Sequence, residues 1–203
     1  MKIICVGRNY ADHAKEMKSD VPAEPVIFLK PETALPPKRQ PFFIPDFSND
    51  VHHELELVVK INRVGKSIEE RFAHRYYDEV TVGIDFTAHD VQSALKAKGL
   101  PWEKAKAFDG SAPIGTFIPL SGTKGVQAVE ISLRKNGNLV QSSSTASMIF
   151  TVDHIISHVS RYMTLKMGDL IFTGTPAGVG PVRENDVLEA SIDGQLLLRV
   201  NVK

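Results

Sequence analysis

With a single cysteine, Cys5, this 203-residue chain can form no internal disulfide. The residue lies in the apolar run Ile3-Ile4-Cys5-Val6, where a thiol packs as a small hydrophobe, and no supporting pattern marks it as a nucleophile. Net charge is lacking too. Lys plus Arg and Asp plus Glu number 24 each, so no overall field favours nucleic acid or an anionic membrane. Basic runs, internal repeats and low-complexity segments are also missing. No apolar stretch is long enough to cross a bilayer, and the N-terminus enters its first apolar run without the features of a secretory signal. The expected home is a reducing cytoplasm. A hydrophobic content of 42% suits one globular domain over residues 1–203, with 1–50 as an N-terminal helix and Pro-rich segment packed on the rest.

Strand patterns dominate what is there. Lys2 to Val6, Val26 to Leu29, Val51 to Lys60 and Val80 to Phe86 read as strands in the first half. The second half adds Leu170 to Thr173, Val187 to Ile192 and Leu196 to Val202. Asn136-Gly137 between apolar runs is a strong hairpin signal. Helices are expected from Asn9 to about Met17, from the Ser67-Ile68-Glu69-Glu70 capping box to about Tyr77, from Asp90 to Gly99, and from Val152 to Met163. Prolines from Pro22 to Pro45 keep the stretch between largely in turns and extended pieces. The absence of a regular βαβ rhythm predicts a mixed or antiparallel sheet.

One pattern carries chemistry above the others. In His53-Glu54-Leu55-Glu56-Leu57, strand alternation projects Glu54 and Glu56 on one face and the leucines on the other. Asp85 interrupts the buried-strand pattern of Val80, Val82, Ile84 and Phe86. Three oxygen donors suit a hard cation such as Mg²⁺ or Mn²⁺, although an acidic strand face is more often simply wet. His13 and Glu16 share a helix face, as a base and its orienting carboxylate would, or as a surface charge pair. Gly7 before this helix and the prolines after it would let it move as a lid. Lys106 is placed to bind a carboxylate or stabilise an enolate, or only to solvate the surface. The loop Gly174-Thr175-Pro176-Ala177-Gly178-Val179-Gly180 lacks the ending of a phosphate loop. Its Thr175 can hydrogen-bond a ligand.

These pieces occur in a definite order. Gly7-Arg8-Asn9-Tyr10-Ala11-Asp12-His13, Phe28-Leu29-Lys30-Pro31, His52-His53-Glu54-Leu55-Glu56-Leu57, Asp85-Phe86-Thr87-Ala88-His89-Asp90-Val91-Gln92, Trp102-Glu103-Lys104-Ala105-Lys106 and Gly174-Thr175-Pro176 together resemble the fumarylacetoacetate hydrolase family. Within it, the chain looks closest to the short branch of acylpyruvate hydrolases and oxaloacetate decarboxylases or tautomerases. The resemblance implies a mixed α/β, strand-rich fold: a β-roll of mixed sheets with few peripheral helices, assembled as a homodimer. It implies Mg²⁺ or Mn²⁺ on Glu54, Glu56 and Asp85, with His13, Glu16 and Lys106 catalytic. Arg8, Lys30, Gln92 and Thr175 would contact substrate or support the pocket. His89 departs from the Arg common there, which weakens the local charge and makes it pH-sensitive.

The implied activity is C–C bond hydrolysis of acylpyruvates or related β-diketo acids through a metal-stabilised pyruvate enolate. Oxaloacetate decarboxylation or keto–enol tautomerisation is the rival at the same site. A catalytically silent, dimeric metal-binding protein is the reading from another class.

Overall fold

The computed structural model describes residues 1–12, 21–37 and 40–203. Strand β1 (Ile3–Gly7) pairs antiparallel with β2 (Val26–Lys30) and parallel with β10 (Leu170–Phe172). Next to β10 come β4 (Leu55–Ile61), β5 (Tyr77–Ile84) and β7 (Ile118–Pro119), completing a six-stranded mixed sheet in the order β2-β1-β10-β4-β5-β7. A second sheet of four antiparallel strands joins β8 (Glu130–Lys135), β9 (Asn138–Ser144), β12 (Val187–Ile192) and β13 (Gln195–Asn201). Three short strands, β3 (Val51–His53), β6 (Thr87–Ala88) and β11 (Gly180–Pro181), form a third. The expectation of a strand-rich mixed α/β fold with few helices holds.

The β8–β9 hairpin forms at Asn136-Gly137, both with positive φ (54° and 82°), the backbone that a tight two-residue turn requires. The long strand expected from Val51 to Lys60 is broken at Glu54 into β3 and β4. This break turns β3 away from the large sheet to pair with β6 and β11. The capping box fails for a different reason. Ser67 sits at φ 50° and donates its N–H to Ser160 O (2.9 Å), so it cannot serve as a helix cap. Only α1 (Glu70–Ala73) forms, and the chain enters β5 at Tyr77, which pairs with Ile61.

Helix α2 (His89–Ala97) follows β6 directly, α3 (Glu103–Lys106) is a single turn, and α4 (Val152–Tyr162) is the longest described. Ala11 and Asp12 are helical. The expected lid helix with His13 and Glu16 otherwise lies outside the described residues. Asn9, read as its cap, instead cross-links three segments. Its amide donates to Thr173 O (2.7 Å) and Phe150 O (3.1 Å), and its Oδ1 accepts from Phe150 N (2.7 Å).

Both faces of the large sheet are buried, which is why β1 and β4 read as nearly continuous apolar runs. One face, with Ile4, Leu57, Val59, Val82 and Ile171, packs with Ile155, Ile156 and Val159 of α4 and with Ile131 and Leu188 of the four-stranded sheet. The other face carries Ile3, Cys5, Val58 and Phe172. Alternation along β4 assigns Glu56 to this second face, with Val58.

The entry to α2 is pinned by Asp90, whose carboxylate accepts from Ser48 Oγ (2.7 Å), Asn49 N (3.0 Å) and Val91 N (2.8 Å). Burial by itself would raise the Asp90 pKa, but these donors outweigh it and hold it below the usual carboxylate range. The carboxylate therefore stabilises the fold above the ordinary Asp pKa of about 4. That contribution is lost as pH falls through the depressed folded value. Because Asp90 is exposed, Asp90→Asn is expected to cost at most about 1 kcal/mol at neutral pH. Thermal melts should show the gap from wild type closing in acid; a gap constant down to the acid limit would contradict the assignment.

Candidate active site

The break in the strand at Glu54 and the end of β5 at Ile84 bring the acidic residues together. Asp85 N donates to Glu54 O (2.8 Å), extending the β4–β5 ladder by one bond, and Leu55 pairs with Ile84, Glu56 with Gly83. Carboxylate oxygens of Glu54, Glu56 and Asp85 all lie within 4.8 Å of one another, and all three residues are buried. Like charges this close in a low-dielectric interior repel strongly. Two ammonium groups oppose that repulsion.

Lys106, at the end of α3, donates from Nζ to Glu54 Oε2 (2.7 Å) and Asp85 Oδ2 (2.8 Å). Lys30, at the end of β2, places its Nζ 2.7 Å from Asp85 Oδ1. The same ammonium donates to Ser111 Oγ (2.9 Å), Ser111 O (3.2 Å) and the carbonyl of Lys106. Lys30 thus holds Asp85 and the backbone at Lys106 at once. The Lys106 ammonium also sits 5.3 Å from the centroid of the Phe28 ring, in cation–π range. Thr87 Oγ1 donates to Glu54 Oε1 (2.8 Å), and Gly174 N donates to Glu56 Oε2 (2.7 Å).

Gly174 makes that last bond with φ 101°, and a Cβ there would stand 2.6 Å from Asn9 Cβ. The glycine and the Asn9 cross-link therefore belong to one device, which aims a backbone N–H at Glu56. Thr175 is held from behind by Gln141, whose Nε2 donates to Thr175 Oγ1 (2.9 Å) and Pro176 O (3.0 Å). Gln141 Oε1 accepts from Leu55 N and pairs with His53 Nδ1, both at 3.0 Å.

Burial pushes the Glu56 carboxyl well above the usual range, and the charges of Asp85 and Glu54 push it further. For Lys106, burial alone would lower the pKa, but Asp85 and Glu54 outweigh it and the ammonium stays protonated beyond the ordinary lysine range. Burial, then Asp85, also raises the Cys5 thiol, so it is no thiolate nucleophile. The donors fit a hard divalent cation. All three are carboxylates, and Glu56 ionises unfavourably without added positive charge.

Of the residues singled out in the sequence, Glu54, Glu56, Asp85, Lys106 and Lys30 thus converge on one cluster. Thr175 joins through Gln141 on one side and through its neighbour Gly174 on the other. Gln92 is the one buried residue of α2, which packs against α3 and β6. Arg8 follows β1 at φ 61°, one residue before Asn9. His89 faces Asp50 (Nδ1 to Oδ2, 3.4 Å) and stacks on His52. His13 and Glu16 lie outside the described residues. Sequence reading missed Thr87, Ser111 and Gln141, and misread Asn9. Small polar residues carry no spacing signal, and the contacts that tie the three missed residues to the other site residues span long separations, between Lys30 and Ser111 (81), Glu54 and Thr87 (33), and Gln141 and Thr175 (34).

Residues 2–203 match the family description "Fumarylacetoacetate (FAA) hydrolase C-terminal". The chain belongs to the fumarylacetoacetate hydrolase family. It is 49% identical over 201 residues to the mouse (Mus musculus) "Oxaloacetate tautomerase FAHD1, mitochondrial", covering 99% of this chain and 91% of that protein. It is 46% identical over 197 residues to "Oxaloacetate tautomerase YcgM" of Escherichia coli strain K12, covering 97% and 90%. Among solved structures it matches fumarylpyruvate hydrolase from Pseudomonas aeruginosa in complex with Mn²⁺ and pyruvate. That match has a TM-score of 0.94 at 39% identity and covers 100% of this chain and 89% of the other. The chain is therefore that of a family of enzymes acting on small molecules. Among the described residues, no helix is long and apolar enough to cross a membrane.

Removing one partner from a buried ion pair strands the other, at about 3–5 kcal/mol. Lys106→Met should destabilise the protein by that order in the presence of a chelator, and millimolar Mn²⁺ should restore part of the loss. Urea unfolding with and without the metal measures both. A variant as stable as wild type, or one indifferent to Mn²⁺, would contradict the charge balance described.

Proposed function

We propose that this protein is a Mg²⁺- or Mn²⁺-dependent enzyme of small 2-oxo acids, with keto–enol tautomerisation of oxaloacetate as its leading activity. The observation that carries this reading is the buried cluster in which protonated Lys106 bridges Glu54 and Asp85. It joins a cation-binding set to a fixed positive charge at one point. The names of the two tautomerase relatives support the choice of reaction. In this reading a cation on Glu54, Glu56 and Asp85 supplies Lewis acidity to the substrate's 2-oxo group.

The protein's own residues do the rest. Tautomerisation moves a proton off C3 while negative charge builds on the C2 oxygen, which then takes up a proton to give the enol; ketonisation runs the same two transfers in reverse. Lys106, locked in its protonated form, serves as a charge stabiliser and not as the base. Lys30 keeps Asp85 and the Lys106 backbone in place. His13, oriented by Glu16, is the group assigned to carry the C3 proton. Arg8, Gln92 and Thr175 are assigned to the substrate's carboxylates and oxo groups. On the family resemblance we also expect a homodimer, in a reducing compartment such as the cytoplasm.

A second reading is hydrolysis of acylpyruvates, with His13 drawing its proton from water instead of from C3. The similarity to the fumarylpyruvate hydrolase solved with Mn²⁺ and pyruvate favours it. Decarboxylation of oxaloacetate needs only the charge sink and no base at C3.

Three rates separate these outcomes: enol-to-keto conversion of oxaloacetate, pyruvate release from oxaloacetate, and pyruvate release from acetylpyruvate. Each is measured with Mg²⁺ or Mn²⁺ against chelator and corrected for metal alone. We expect chelator-sensitive tautomerisation to be the fastest, and Glu54→Gln to lower it by at least about a hundredfold. His13→Ala should depress tautomerisation and hydrolysis while largely sparing decarboxylation. Faster pyruvate release from acetylpyruvate would move the assignment to hydrolase. Background rates on all three would favour a silent metal-binding protein.

A further inference from the structure

A second set of metal-ligating side chains stands apart from the carboxylate cluster. Asp50, just before β3, places Oδ1 2.8 Å from His52 Nε2 and Oδ2 3.4 Å from His89 Nδ1. The two imidazole rings are stacked, with centroids 4.5 Å apart and planes 6° from parallel. One ligand atom from each of the three residues lies within 4.8 Å of the others, and all three side chains are only partly buried. Nothing in the proposed reaction uses them.

The trio is positioned by backbone and not only by its own contacts. His52 pairs with Thr87 across β3 and β6, and His89 N donates to Asp50 O (2.8 Å). Ser48 Oγ accepts from Asp50 N (3.2 Å) while donating to Asp90 Oδ1 (2.7 Å), so the segment bearing Asp50 is tied to the first turn of α2. A strand and a helix start thus hold the backbones of the three residues side by side before any ligand arrives.

Their chemistry differs from that of the first cluster. Two imidazole nitrogens and one carboxylate oxygen form a borderline-soft N₂O set, suited to Zn²⁺, Ni²⁺ or Cu²⁺, whereas three carboxylates suit Mg²⁺ or Mn²⁺. Bonds of about 2.0–2.1 Å to a tetrahedral ion put neighbouring donor atoms roughly 3.3 Å apart. The observed 2.8 and 3.4 Å, to the two different oxygens of Asp50, lie near that spacing, but the stacked rings aim their in-plane lone pairs along parallel planes, so binding an ion requires one imidazole to rotate out of the stack. One carboxylate and two neutral imidazoles leave a net positive centre with solvent in the remaining position.

We propose that Asp50, His52 and His89 form a second, separate binding site for a borderline divalent transition ion, Zn²⁺ first. An ion there would clamp β3, which leads into Glu54, to α2, which carries Gln92. The inference does not depend on which reaction the carboxylate cluster catalyses.

The test is zinc binding, not turnover. Protein kept in millimolar Mg²⁺ to occupy the carboxylate cluster is titrated with Zn²⁺ by calorimetry, and Cu²⁺-loaded protein is examined by electron paramagnetic resonance. We expect one Zn²⁺ per chain in excess Mg²⁺, and Cu²⁺ hyperfine structure from two imidazole nitrogens. His89→Ala and His52→Ala should each weaken Zn²⁺ binding by at least about tenfold, the scale that even an outer-sphere partner contributes, while Glu56→Gln should leave it unchanged. His89→Gln, which keeps the side-chain bulk, guards against a folding artefact and should lose the same affinity with an unaltered circular dichroism spectrum. Zinc binding that survives His89→Gln, or that disappears with Glu56→Gln or with Mg²⁺, would overturn the proposal.

Discussion

Everything around the site depends on one balance of charge. Three buried carboxylates, on Glu54, Glu56 and Asp85, face two buried ammonium groups, on Lys30 and Lys106. Taking any one of these ions out of water costs several kcal/mol, and only close opposite charge with good hydrogen bonding offsets it. The cluster meets that condition through Lys106, shared between two carboxylates, and through neutral donors from Thr87 and Gly174. Three acids against two bases leave a formal excess of one negative charge. That residue of negative charge is what a divalent cation is suited to answer, and it falls on Glu56, whose ionisation the site otherwise resists.

The fold is arranged to deliver those groups. A continuous strand from Val51 to Lys60 would have run its acids along one sheet. The break at Glu54 ends β3 and starts β4 at the point where β5 also ends, so Asp85 leaves the ladder beside Glu54. On the other side of β4, Asn9 ties the β1 end to Thr173, and Gly174 adopts a backbone that a side chain would block. The neutral donors to Glu54 and Glu56 are thereby placed by main-chain geometry and a short side chain, which loses little conformational freedom on ordering. Preorganisation of this kind is what electrostatic stabilisation of a developing enolate requires.

Much of this was legible before folding. Alternation in Glu54-Leu55-Glu56-Leu57 separates acids from leucines, and the acids do share a face; Asp85 stands out because a charged residue closes an apolar strand. Asn136-Gly137 predicted its hairpin through the positive φ that both residues accept. The illegible parts share a cause. Ser67 carries a capping pattern but is captured by Ser160, and Asn9 looks like a cap but bonds across the chain to Phe150 and Thr173. Local patterns predict local structure until a distant partner competes for the same polar group. Gln141, linked to His53, Leu55 and Thr175, had no local pattern at all.

What the sequence determined alone was chemistry and alternation: which residues can carry charge, which face of a strand they share, and an ordered set of motifs resembling one family. Those properties are written in residue type and spacing, and they need no partner to be read. Tertiary structure alone decided that Lys30 and Lys106, 76 residues apart, meet at Asp85. It alone stacked His52 on His89 over Asp50. Contacts of that range are set by which strands pair and where they stop, a consequence of burying both faces of the large sheet at once, and no short window of residues contains that constraint.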